Sequence, residues 1–201
     1  MTLGRSSQLG QDDKCLSYFN HKKNGFFVDI GAHDGIDLSN TYKLEKDYEW
    51  TGICVEPLTR PFNECKMNRP NSICINKCIF NKNGFVPFEE KPEKDGSWDM
   101  ISGICDENNK TCDKECITFT KLLEDNNAPS IIDFLSIDTE GSELEILKSL
   151  DHNKFKFQYI TCEHNYKPLR KDIKDYLENN GYLFHEENNW DDIYILRTSP
   201  T

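Results

Sequence analysis

The chain has 201 residues, 36% of them hydrophobic and 29% charged, which is enough apolar content for one buried core and too little length to divide comfortably into two. Its formal net charge of -11 opposes a phosphate backbone, and no Lys/Arg stripe interleaved with aromatics offsets it, so nucleic acid is not an expected partner. Residues 1–20 lack the apolar core of a signal peptide and nowhere do about 18 apolar residues run together, so a cytoplasmic protein without a membrane span is expected; oligomeric state is open.

In chain order, residues 25–31, GFFVDIG, are predicted as a buried parallel strand running into a tight glycine turn. A helix over 39–46 with an Asn/Ser cap region follows, then an apolar strand over 52–56. Thr59 or its neighbour is expected to cap a helix that has Pro61 in its first turn and reaches about Asn68, ahead of a third strand over 72–77. Residues 83–117 carry Gly84, Pro87, Pro92 and Gly96 among short β-like pieces, so they are predicted to be an insertion over the sheet. Within it, 91–115 is expected to cover the site, with Trp98 as an aromatic surface for an acceptor or, equally, as a core residue.

The alternation then resumes with a helix over 119–125, a strand over 131–137, a helix over 142–150, a strand over 157–162 and a helix over 169–180 with Gly181 at its C′ position. Strands over 182–186 and 192–197 close the chain. Strand alternating with helix implies one doubly wound α/β domain with a mostly parallel sheet, and such sheets bind ligands beyond the carboxyl ends of their strands.

Nine cysteines is an odd number and several fall inside predicted strands, which favours reduced, buried thiols. Cys105, Cys112 and Cys116 are the one cluster, and their spacing lacks the tight C-x2-C knuckle of common zinc sites; a metal knot there is the lesser reading.

The strand ends collect acidic and polar residues: Asp29 to Gly35 after the first, Glu56 and Pro57 after the second, Asp138 to Gly141 after the fourth, and Glu163, His164 and Asn165 after the fifth. Any one of these could be a turn former or helix cap, but four such ends together point to a site. The first turn reads G-x-x-x-G, not G-x-G-x-x-G, so a pyrophosphate cradle is disfavoured, and Glu56 stands where a carboxylate can accept from both ribose hydroxyls. An adenosine ligand without a diphosphate, S-adenosylmethionine above all, suits that pattern.

With these residues the chain resembles the FkbM family of methyltransferases. The likeness runs through Ser7 to Asp12, Phe27 to Gly35, Ser39 to Thr41, Trp50 to Pro57, Ser102 to Ile104 and Asp133 to Leu147. The resemblance implies a Rossmann-like class I methyltransferase with a seven-stranded sheet and an antiparallel last strand, using S-adenosylmethionine to methylate hydroxyls. It implies that Gln11 and Asn40 line the donor pocket and that the turn with Asp29, Gly31, Ala32, His33 and Gly35 faces the methionine part. Glu56, beside Pro57, would hold the ribose, and Ser102 and Asp138 would complete the pocket. His33 departs from the Asn commoner in that turn, and 91–115 has no clear counterpart, which leaves the acceptor open.

A sulfonium methyl is already activated, so the protein must align an acceptor oxygen and help remove its proton. Two arrangements are open. Asp138, Glu163 and His164 could hold Mg2+ or Mn2+, or His164, less readily Glu140, could act as a metal-free general base. A sugar or glycan hydroxyl is the expected acceptor. Competing readings are a natural-product or lipid hydroxyl, a non-catalytic donor-binding module, and an NAD-linked oxidoreductase, the last opposed by the missing third glycine.

Overall fold

The computed structural model describes residues 7–91 and 98–197. Helix α1 (Gln11–Tyr18) leads into strand β1 (Phe26–Ile30), α2 (Tyr42–Tyr48), β2 (Thr51–Val55), α3 (Thr59–Asn68) and β3 (Ile73–Ile75). Short strands β4 (Cys78–Ile79), β5 (Gly84–Glu89), β6 (Gly103–Ile104) and β7 (Cys112–Ile117) come next. The chain ends with α4 (Phe119–Asp125), β8 (Ile131–Ile137), α5 (Glu143–Lys148), β9 (Lys156–Glu163), α6 (Leu169–Asn179), β10 (Tyr182–Asn188) and β11 (Asp191–Leu196).

Seven strands make one sheet in the order β10-β11-β9-β8-β1-β2-β3, with β11 antiparallel to both neighbours and the pairs from β9 to β3 parallel. The expected class I methyltransferase topology is therefore the observed one. Alternation along β1 sends Val28 and Ile30 to a core shared with α4, α5 and α6, and Phe27 to a second core shared with α1, α2 and α3. Both faces are thus covered, which is why β1, β2 and β8 are buried along nearly their whole length.

The switch of crossover direction lies between β1 and β8, so the carboxyl ends of these strands open a crevice. Gly31 sits there at φ 94°, and a Cβ on it would fall 1.8 Å from the Asp138 carbonyl oxygen, so no other residue fits that turn. The Asp138 amide donates to the Ile30 carbonyl (3.0 Å), which stitches the two strand ends together.

Several expected boundaries move. Helix α2 starts at Tyr42, not 39, with Thr41 at its N-cap, because Ser39 is spent in the turn ahead of it: its Oγ accepts from the amides of Thr41 and Tyr42 (3.2 and 3.1 Å). The neighbour of Thr59, Leu58, stands at the N-cap of α3 and offers no side-chain acceptor; its amide donates to Glu56 Oε1 (2.8 Å). Gly181 has φ 91° and follows the Asn180 C-cap, as the helix-ending pattern requires.

Strands β4 to β7 form a separate four-stranded sheet in the order β4-β7-β5-β6, with a small core of Leu58, Cys78, Val86, Phe88 and Cys116. Residues 92–97, central to the expected cover, lie outside the described residues, as does the side chain of Trp98. All nine cysteines are free thiols. Among the described residues no helix is long and apolar enough to cross a membrane.

Candidate functional site

A cavity of about 500 Å3 opens at the carboxyl edge of the large sheet, within the size range of small-molecule sites. One end is built by the turns after β1 and β2. Gly31 and Ala32 each donate an amide to the Val55 carbonyl (3.0 Å), and His33, at φ 46°, donates its amide to Glu56 Oε2 (3.0 Å). Glu56 is buried, and its carboxylate holds both this turn and the Leu58 amide while facing the cavity beside Pro57. A carboxylate offers about four lone-pair directions.

Asp29 and Asn40 line the floor. Asp29 accepts from Thr41 Oγ1 (2.6 Å), and Asn40 Nδ2 donates to Ser136 Oγ (3.0 Å). Burial pushes the Asp29 carboxyl up, while the Thr41 hydroxyl and the Arg69 charge pull it back. Gln11, at the start of α1, lines the wall and donates Nε2 to Asp191 Oδ2 (2.5 Å). Ser102 lines the opposite wall on the loop before β6. Gly35 does not line the cavity: its carbonyl accepts from Arg69 Nη1 (3.2 Å), and a Cβ there would meet the Arg69 stem at 2.7 Å, so it shapes the turn from behind.

The other end gathers carboxylates. Asp138, Glu140 and Glu163 each place one ligand atom within 4.8 Å of the others, and among the described residues no other three His, Cys, Asp or Glu side chains converge so closely. Cys105, Cys112 and Cys116 accordingly form no knot. Asp138 lines the cavity and is exposed to it. Desolvation raises its pKa well above the ordinary carboxylate value, and the neighbouring Glu163 charge adds to the rise. Glu163 is pushed up to about 7 by burial and by the Glu140 charge. The loop carrying them is pinned by Glu143, whose Oε1 accepts from Thr139 N (3.1 Å), Thr139 Oγ1 (3.0 Å) and Gly141 N (2.9 Å). Sequence reasoning assigned no role to Glu143; an acidic residue in the first turn after a Thr-x-Gly loop is the signal for it.

His164 corrects the expected ligand set. It is buried away from the cavity, with Nδ1 accepting from the Tyr166 amide (3.0 Å) and Nε2 facing Asp192 Oδ1 at 3.4 Å. Neighbours on an extended chain point to opposite sides, so when Glu163 enters the cavity His164 cannot. Burial lowers its pKa, which keeps it neutral beside the Arg170 to Asp192 fork (2.9 and 2.7 Å). Glu140 replaces it in the carboxylate group. Trp190, in the β10 to β11 turn, and Asp191, the first residue of β11, also line the cavity, and sequence reasoning did not place either there.

Comparison with known proteins gives a consistent result. The family model for the methyltransferase FkbM domain matches residues 29–184. Among curated proteins no significant sequence match is found. The fold is similar to that of the precorrin-6y C5,15-methyltransferase from Geobacter metallireducens GS-15, at 13% identity over 98% of this chain and 93% of that one, with a TM-score of 0.54. It is similar to the methyltransferase FkbM from Methylobacillus flagellatus KT, at 13% identity and TM-score 0.56, covering 86% of this chain and 43% of that one. The METTL16 MTase domain gives 12% identity and TM-score 0.56, over 94% of this chain and 67% of that one.

Proposed function

The chain belongs to the FkbM family of S-adenosylmethionine-dependent methyltransferases, and from that premise we propose that it transfers the methyl group to a sugar hydroxyl. The observation that carries this reading is the division of one cavity into a donor end, at the Gly31 turn and Glu56, and a carboxylate end at Asp138, Glu140 and Glu163. The acceptor oxygen attacks the sulfonium methyl carbon, the carbon–sulfur bond breaks, and S-adenosylhomocysteine leaves as a neutral thioether. The hydroxyl proton needs an acceptor. The Asp138 and Glu163 pair can receive it, because a carboxyl with a pKa near 7 is matched to that transfer at neutral pH.

The same three side chains fit a hard divalent cation: they supply only oxygen, they converge, and their like charges repel one another at one end of the cavity. Mg2+ or Mn2+ bound there would lower the acceptor hydroxyl's pKa. Asp138, Glu140 and Glu163 would hold it, while Glu56 and the turn fix the donor.

The decisive assay incubates the protein with S-adenosylmethionine and a panel of glycans and reads methylated sugar and S-adenosylhomocysteine by mass spectrometry. Methylation of lipid or natural-product hydroxyls alone, with all glycans untouched, would overturn the sugar assignment. Exhaustive chelation is expected to abolish turnover without loss of donor binding, with Mn2+ or Mg2+ restoring it; full activity after chelation would leave the carboxyl pair as a metal-free base.

Glu56→Ala is expected to weaken S-adenosylhomocysteine binding by about 1.5 to 3 kcal/mol, the scale of hydrogen bonds to a charged group. Glu56→Gln, which keeps one acceptor oxygen, should fall between the two. Undiminished affinity in both variants by calorimetry would remove Glu56 from the donor site.

A further inference from the structure

Building on the sugar-acceptor reading, we propose that Trp190 is the platform on which the acceptor ring stacks, and that the β9 to β11 edge of the cavity is a subsite for a neutral pyranose. Trp190 lines the cavity together with Glu163, Asn165 and Asp191. Its ring contrasts with that of Trp50, which is fully buried, packs edge-on against Phe19 and donates Nε1 to the Lys22 carbonyl (2.8 Å). Trp190 is half-buried, and among the described residues its ring meets no other aromatic ring and its Nε1 no protein acceptor. An indole face and a donor are both left for a ligand.

The ring stands on a fixed support. The Trp190 carbonyl accepts from the amides of His164 (2.8 Å) and Asn165 (3.2 Å), and Asp191 lies in register with Glu163 across the β9 to β11 ladder. Asn189, at φ 58°, makes the turn, and Asn188 Nδ2 ties it to the Leu9 carbonyl (3.3 Å). A platform held this way needs little ordering on binding.

Position assigns this edge to the acceptor. Glu56 follows β2, while β11 is four strands away in the order β2-β1-β8-β9-β11, about 19 Å at the usual strand spacing. Ribose and sulfonium are separated by only a few bonds, so a donor anchored at Glu56 and the Gly31 turn delivers its methyl near Asp138 and leaves the far edge free. A pyranose offers an apolar C–H face to the indole and a hydroxyl rim to Glu140, Glu163 and Asn165, all of which can accept. Lys77 is the one Lys or Arg lining the cavity among the described residues. It follows β3 at the opposite end, paired with Glu115 (2.5 Å), while Lys167, close to the Trp190 edge but outside the cavity lining, is taken up by Glu140 (3.6 Å), so that edge offers an acidic or phosphorylated sugar no uncompensated cation among the described residues.

The test is calorimetric titration with the methyl glycosides of glucose, galactose, mannose and rhamnose, in saturating S-adenosylhomocysteine, on the wild type and two variants. Trp190→Ala is expected to weaken the best glycoside about tenfold. Trp190→Phe, which keeps an aromatic face, should stay within about threefold of wild type, and S-adenosylhomocysteine affinity should stay within about twofold in both. Wild-type glycoside affinity in Trp190→Ala overturns the platform alone. So does parallel loss of donor affinity, which would mark Trp190 as structural. Absence of saturable binding of any glycoside to the wild type overturns the sugar-acceptor reading itself, and the platform with it.

Discussion

Asp138→Asn is expected to lower turnover roughly 10^2- to 10^3-fold while holding S-adenosylhomocysteine affinity within about threefold of wild type, and to raise the thermal midpoint of the ligand-free protein above pH 7. Both effects follow from the carboxylate end of the cavity. Glu163 titrates at about 7 in the fold against an ordinary 4.5, and Asp138 is raised well above 3.8. A carboxyl raised by folding contributes stability that is whole below its unfolded pKa and is lost as pH climbs through its folded one. The wild-type apoprotein should therefore weaken from about pH 4.5 upward through 7, and a divalent cation should reverse that loss by displacing the shared proton. Asparagine removes one charge from the cluster, so the fold gains what the chemistry loses, the usual exchange at a site built for activity. Thermal scans across pH and donor calorimetry test both halves. If Asp138→Asn instead loses stability and donor affinity together, with turnover falling only in proportion, Asp138 is a structural cap.

Sequence pattern carried the sheet because strands buried on both faces are mostly apolar: β1, β2, β8 and β9 are short, largely hydrophobic runs with polar residues at or just beyond their carboxyl ends. Helix α1 went unpredicted because QDDKCLSY buries only Cys15 and Leu16 as apolar side chains. Long-range contacts hold it instead, Gln11 to Asp191 and Lys14 to Glu186 (2.8 Å), and no local window contains them. The donor end was legible through the glycine turn, since a left-handed turn against a neighbouring carbonyl leaves a mark on residue type. The carboxylate end was half legible. Adjacency of Glu163 and His164 in the chain suggested a shared site, yet adjacency on an extended backbone means opposite directions, and Glu140 took the place. Trp190 was out of reach because a tryptophan in a hairpin turn has no periodicity to betray which strand ends it overhangs.

Arg69 is a further residue without a local signature, and Arg69→Met is expected to destabilise the protein by about 3 to 5 kcal/mol, the scale for stranding a buried charge. Arg69 is 1% exposed. Its Nε donates to Glu45 Oε2 (2.8 Å), Nη1 to the Gly35 carbonyl (3.2 Å) and Nη2 to Thr41 Oγ1 (3.0 Å). Thr41 Oγ1 in turn donates to Asp29 (2.6 Å), and Ser72 Oγ also donates to Glu45. One guanidinium therefore offsets two buried carboxylates, Glu45 on α2 and Asp29 at the cavity floor, and braces the donor turn at Gly35 from behind. Methionine preserves most of the stem that packs against Gly35 but strands both acids, so Asp29 should be driven toward its protonated form. Urea unfolding measures the loss, and S-adenosylhomocysteine affinity should fall with it, because the turn loses its brace. Adding Glu45→Gln to Arg69→Met removes the worst-stranded charge and is expected to recover about 1 to 2 kcal/mol, a coupling typical of directly bonded partners. An Arg69→Met protein within about 1 kcal/mol of wild type would contradict the account, since a buried arginine that can be lost so cheaply is not what holds Glu45 and Asp29 in place.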